Sequence, residues 1–273
     1  MQSNSRSSPR LTGIVSIALA SAVLISSCRT AWHLARSVRL ARKSRPFSTL
    51  PPAPAASLLI VGDSTGVGTG ASAPQYSLAG QIARVYPNLR ILNLAQDGAR
   101  FSDIADQLIG TRRFDLILIL GGGNDVIRMT GSAALGSDIE RAIARACARS
   151  SHVIVMPAGN VGNAPLFYPP LNWLLRHRSR TLHHAAAHCA QAHGAVFVDL
   201  YRERTNDPFA RHPERMNASD LLHPNDAGYA YWFAELERQA QISQRIATVA
   251  VTTLQVAARG IRSIRPGRDQ TAS

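Results

Sequence analysis

Four short blocks of this 273-residue chain hold side chains able to break an ester: Gly62-Asp63-Ser64-Thr65-Gly66, Asn93-Leu94-Ala95-Gln96-Asp97-Gly98, Gly121-Gly122-Gly123-Asn124-Asp125 and Asp220-Leu221-Leu222-His223-Pro224. A serine hydroxyl attacks an ester only if a base takes its proton, a carboxylate fixes the tautomer of that base, and donors wait for the developing oxyanion. Asp220 and His223, three residues apart, can set a carboxylate against Nδ1 and leave Nε2 free for Ser64. Gly98 can offer an unobstructed backbone N–H and Asn124 a carboxamide N–H. A lone serine after a strand is most often a helix N-cap. The other three blocks give Ser64 a different weight.

Such residues need elements that bring them together, and the hydrophobic pattern supplies them. Apolar runs at 58–61, 90–94, 116–120, 153–155 and 196–198 read as strands. Between and after them, helices are expected at 77–85, 102–108, 139–148, about 179–193, and beyond Pro224. Leu116 to Leu120 is uninterrupted and bounded by glycines, so it should be a central strand covered on both faces. Strands alternating with helices imply one α/β domain with a parallel sheet. Chemistry then belongs at the carboxyl ends of the strands, where three of the four blocks fall.

With these blocks in this order, residues 57–240 resemble the SGNH, or GDSL, hydrolase family. The resemblance implies a flavodoxin-like three-layer α/β/α sandwich. It also implies Ser64 as nucleophile, His223 as general base, Asp220 as its orienting acid, and an oxyanion hole made of the Ser64 N–H, the Gly98 N–H and the Asn124 side chain. No metal and no organic cofactor are expected. The family spans esterases, lysophospholipases, thioesterases and carbohydrate deacetylases, so the resemblance does not name a substrate. A serine esterase acting on acyl or acetyl esters, of a lipid or lysophospholipid among others, is the leading expectation. A glycan O-deacetylase or O-acyltransferase and an idle membrane-tethered binding module are the alternatives.

Competing motifs fit less well. Gly62 to Gly66 matches G-x-S-x-G, but that elbow normally comes later in its sheet. Gly66-Val67-Gly68-Thr69-Gly70 lacks the spacing of a dinucleotide loop, and Lys43, the one lysine, cannot serve a phosphate loop. His184 and His188 share a helical face without the glutamate of H-E-x-x-H and read as surface or packing residues. Cys147 and Cys189 read as small buried hydrophobes, and Asp63 and Asp125 as loop-ordering groups. Phe167, Tyr168 and Trp173, in what reads as an irregular stretch, and Phe209 are candidates for the substrate-binding wall.

The net charge of +13 is unevenly placed. Residues 1–50 hold eight Arg or Lys and no acid, residues 51–240 hold 17 basic and 16 acidic side chains, and residues 241–273 hold five basic and one acidic. A nearly neutral domain between basic tails argues against nucleic acid and for an anionic membrane surface as partner. Residues 11–27 carry no charge, a length at the lower limit for a membrane span. The six basic residues from Arg29 to Arg45 favour the cytoplasmic face for the domain beyond them, and the interleaved Trp32, Leu34, Val38 and Leu40 suit an interfacial helix. The alternative is a periplasmic lipoprotein, because Ile25-Ser26-Ser27-Cys28 is similar to a lipobox. The expected division is therefore an anchor or signal segment with the start of a Pro-rich linker over 1–50, a hydrolase domain over 51–240 and a basic tail over 241–273. Oligomeric state is not legible.

Overall fold

The computed structural model describes Arg29, Trp32, His33 and residues 35–251. Among these, β1 (Ala56–Gly62), β2 (Leu89–Asn93), β3 (Leu116–Gly121), β4 (Val153–Pro157) and β5 (Val196–Phe197) form one sheet of order β2-β1-β3-β4-β5, parallel throughout. Every residue of β3 is buried, as its unbroken apolar run requires of a central strand covered on both sides. Burying one such Leu or Ile side chain is worth about 1.5–3 kcal/mol.

The period-two alternation of the strands splits the core into two layers. Leu59, Val61, Ile117, Ile119 and Val155 face α3 (Phe101–Gln107), α5 (Ser132–Arg149) and α6 (Leu171–Ala192). Leu58, Ile60, Leu118, Ile154 and Met156 face α2 (Leu78–Val85) and α9 (Asp226–Ala240), where Tyr229 and Leu236 are fully buried. The caps follow the sequence: Ser77 accepts from the Gly80 N–H at the start of α2, and Asn225 from the Gly228 N–H at the start of α9. The result is the three-layer α/β/α sandwich with a parallel sheet that the sequence leads one to expect. The chain leaves β1 for β2 on one side and crosses to β3 on the other, so the β1 and β3 carboxyl ends flank the switch point where ligands enter such sheets.

The folded unit is wider than residues 51–240. On the amino side, Thr49 bridges to Ile91 with two 2.9 Å backbone hydrogen bonds, and the Ser48 hydroxyl accepts from the Asn93 N–H at 3.0 Å. The proline-rich stretch therefore lies along the domain edge and does not separate the preceding residues from the core. A helical segment over 35–43 also packs on the domain through Ser37. On the carboxyl side a helical segment over 242–251 buries Ile242, Ile246 and Val249 in the second core layer. Arg245 beside them and the four arginines from Arg259 to Arg268 make the whole stretch read as a basic tail.

Helix α6 begins at Leu171, eight residues before its expected start. Its first two turns expose Leu171, Trp173 and Leu174, which conceals the amphipathic period there. No helix of the described residues is long and apolar enough to cross a membrane. The uncharged segment 11–27, Cys28, Leu34 and the tail beyond 251 lie outside the described residues.

Candidate active site

The last residue of β1 has to be glycine: a Cβ on Gly62 would stand 2.1 Å from the Leu120 carbonyl oxygen. Asp63 then caps the short helix α1 (Ser64–Val67), accepting from the Thr65 backbone N–H at 2.9 Å and from the Thr65 hydroxyl at 2.7 Å. Ser64 is left as the first residue of α1, at the end of the central pair of strands. Its hydroxyl lies 2.9 Å from His223 Nε2. On the other side of the ring, His223 Nδ1 lies 2.6 Å from Asp220 Oδ2. Asp220 is fully buried, and its Oδ1 accepts from the Leu222 and His223 backbone N–H groups at 3.1 Å each. Leu221, at φ 61°, makes the left-handed turn in the loop between the two residues.

The other two blocks converge from either side. Asn93, closing β2, donates from Nδ2 to the Gly66 carbonyl at 2.8 Å and ties the second block to α1. The chain then turns through Gly98 at φ 80°, a left-handed conformation that glycine adopts without steric cost. After β3, helix α4 (Gly123–Ile127) carries Asn124, whose Nδ2 donates to the Ala99 carbonyl at 3.2 Å, leaving one amide hydrogen free. Asp125 Oδ2 accepts from the Phe101 N–H at 2.9 Å and clamps this helix to the start of α3. Asp63 and Asp125 are thus both engaged in ordering loops.

Burial sets the electrostatics of these carboxyls. Asp63 is pushed up to about 6 by burial, against the opposing hydrogen bonds of Thr65 and the charge of His223. Burial also raises Asp125, against the Phe101 N–H. Asp220 goes the other way: burial would raise it, but the hydrogen bond and charge of His223, together with Ser37 and the backbone N–H of His223, hold it at about 2. It is ionised throughout the neutral range.

Asp63 carries a consequence for stability. Its folded value lies above the reference near 3.8, so the folded chain binds more protons between pH 3.8 and 6, and stability is lost as pH rises through that window. The rise from 3.8 to about 6 corresponds to about 3 kcal/mol at most. Asp63→Asn keeps an acceptor for Thr65 and removes the titration. Urea melts should show the Asn variant gaining on the natural chain by about 2–3 kcal/mol between pH 4 and pH 8. An equal difference at both pH values would rule this out.

A cleft of about 620 Å³ opens over these groups, with Ser64, Gly98, Asn124 and His223 in its lining. Its walls are largely apolar, including Ile127, Val161, Leu200, Phe209 and Trp232. Of the aromatic candidates, Phe209 is among these lining residues. Phe167, Tyr168 and Trp173 do not line the cleft: Phe167 packs against the first core layer, while Tyr168 and Trp173 are exposed. The irregular stretch expected there ends at Leu171, where α6 turns Trp173 outward. His184 and His188 are exposed on α6, Cys189 is buried and Cys147 half-buried, both as free thiols. Among the described residues no group of three or more His, Cys, Asp or Glu could hold a metal ion. One neighbour of the site has no signal in the sequence: Ser37, whose hydroxyl donates to Asp220 Oδ2 at 2.7 Å.

Residues 60–231 match the family model for the GDSL-like lipase/acylhydrolase family. The chain belongs to that family. As a GDSL-like protein it is an ester-bond hydrolase. Solved structures with the same fold include LAE5, an α/β hydrolase from the metagenome of Lake Arreo in Spain, 20% identical with a TM-score of 0.53 over 68% of this chain and 95% of that one. TesA is 19% identical with a TM-score of 0.53, over 67% and 97% of the two chains. A catalytic mutant of Axe2, an acetylxylan esterase from Geobacillus stearothermophilus, is 17% identical with a TM-score of 0.52, over 70% and 96%. No curated protein matches the chain.

Proposed function

We propose that this GDSL-like enzyme hydrolyses carboxylic esters through a covalent intermediate on Ser64, with His223 as general base and Asp220 as the carboxylate that orients it. The observation that carries this reading is the unbroken hydrogen-bonded line from the Ser64 hydroxyl through both ring nitrogens of His223 to a buried Asp220, facing an apolar cleft. Ser64 Oγ attacks the ester carbonyl carbon as its proton passes to His223 Nε2. The oxyanion is held by the Ser64 and Gly98 backbone N–H groups and the free amide hydrogen of Asn124. The imidazolium formed, stabilised by Asp220, returns its proton to the departing alkoxide. Water, deprotonated by the same nitrogen, then attacks the acyl-enzyme, and the acid leaves with Ser64 restored.

The largely apolar walls favour an ester with an apolar acyl or alcohol portion. We extend the reading to lipid esters presented at an anionic membrane. The uncharged segment 11–27 and the basic residues after it would supply two anchoring signals, with the domain on the cytoplasmic side. A fluorophosphonate probe tests the chemistry directly. Peptide mapping after labelling of the full chain should place the adduct on Ser64, and Ser64→Ala should take up no label. An adduct elsewhere, or none, would overturn the assignment.

A further inference from the structure

The helical segment 35–43 lies in the stretch whose charge pattern suits a membrane surface, yet one face of it is turned to the active site. Ser37, 8% exposed, donates its hydroxyl to Asp220 Oδ2, the same oxygen that meets His223 Nδ1. Arg36 donates to the Ser219 carbonyl at 3.2 Å, pinning the segment to the loop that carries Asp220. Val38, Ala41 and Arg42 of the same segment join Ser37 in lining one side of the cleft. A buried carboxylate needs its lone pairs satisfied, and the backbone of the loop supplies donors only to Oδ1. The donor for Oδ2 other than the histidine comes from 183 residues earlier in the chain.

We propose that Ser37 is a positioning residue of the active site, holding the Asp220 carboxylate in the rotamer that orients His223, and that residues 35–43 are part of the catalytic unit. This rests on the reading of Ser64, His223 and Asp220 as the triad. Ser37 competes with His223 for the charge on Oδ2 and at the same time fixes where that oxygen lies. Without it, Asp220 is less constrained, so fewer imidazole rings stand ready for Ser64, while the full carboxylate charge falls on the imidazolium. The first effect lowers kcat, and the second moves the acid limb of the pH–rate profile upward. Asp63, the other carboxylate whose charge acts on His223, takes its hydrogen bonds from Thr65 rather than from Ser37.

The test uses the full chain and a soluble p-nitrophenyl ester. Ser37→Ala should lower kcat about tenfold, the factor matching the lower range for a hydrogen bond to a charged group, with KM little changed and the acid limb shifted to higher pH. Ser37→Thr, which retains a hydroxyl, should restore most of the rate. Ser37→Val has the shape of Thr without the donor and should behave like Ser37→Ala, which separates the hydrogen bond from helix packing even if removal of the side chain loosens the segment. A rate within twofold for both Ala and Val, or equal losses in Thr and Val, overturns the proposal. Fluorophosphonate labelling of Ser64 in the natural chain is read in parallel. If Ser64 labels normally while Ser37→Ala and Ser37→Val are unaffected, the triad stands and only the role of Ser37 fails. If Ser64 does not label, the triad reading itself has failed and the role of Ser37 falls with it.

Discussion

Ser64→Ala should eliminate hydrolysis of p-nitrophenyl butyrate, with kcat falling by a factor on the order of 10⁶. The size follows from what the hydroxyl does. In the proposed mechanism it is the atom that forms the bond to the acyl group, and it lies 2.9 Å from His223 Nε2, the nitrogen that takes its proton there. What survives is catalysis from the oxyanion donors and binding alone. The fold should be indifferent to the change: Asp63, not Ser64, caps α1, and Ser64 opens the helix without filling the core. A shift of stability of no more than about 1 kcal/mol, the worth of one hydrogen bond, is expected in a thermal melt. Retention of more than one hundredth of the activity by a folded Ser64→Ala chain would be fatal to the mechanism.

Asp220→Asn should be next in severity, lowering kcat by about 10⁴. The reason is a tautomer. The Leu222 and His223 backbone N–H groups both point at Oδ1, so an asparagine there settles with its carbonyl oxygen at that position and its NH₂ toward His223. Nδ1 then faces a donor and must itself accept, which puts the ring proton on Nε2, the nitrogen that has to take the proton from Ser64. The shape of the site survives and its proton logic is inverted. The acid limb of the natural chain will not report Asp220, because this carboxyl is held at about 2. Its depressed value stabilises the fold at pH above the reference near 3.8, and that contribution is lost only as pH falls toward 2. Steady-state kcat at pH 8 and a urea melt at the same pH separate the two effects. Loss of activity that merely tracks loss of fold would contradict the tautomer argument.

The Ser37 and Asp63 variants are milder because they act around the reacting atoms. Ser37 touches the orienting carboxylate, and Asp63 braces the turn that presents Ser64.

Much of this enzyme is legible in residue order. The alternation of apolar runs with helical stretches is local information, and the unbroken run from Leu116 to Leu120 marks the central strand because only burial on both faces tolerates it. Ser64, Gly98, Asn124, Asp220 and His223 stand out because each sits just past a strand or just before a helix, where a parallel sheet must bring its loops together. Phe209 is a candidate on chemistry alone and lines the cleft. Phe167, Tyr168 and Trp173 are candidates on the same ground and miss the cleft, since aromatic character does not say which way a helix turns its side chains.

Periodicity, the strand-end blocks and the family they belong to are properties of neighbouring residues, so the chain of letters is enough to specify the sheet, the layers and the candidates proposed as reacting groups. The limits of the folded unit are not specified in that way. Thr49 reaching Ile91, Ile242 and Ile246 closing the second core layer, and Ser37 reaching Asp220 are contacts between segments whose composition reads as linker, tail and membrane-facing helix. Such contacts are decided by which surfaces remain uncovered once the sandwich has formed. Apolar area and unsatisfied polar atoms at a domain edge recruit whatever chain lies within reach. That is why the helix over 35–43 borders the cleft, a position that only the assembled tertiary structure assigns to it.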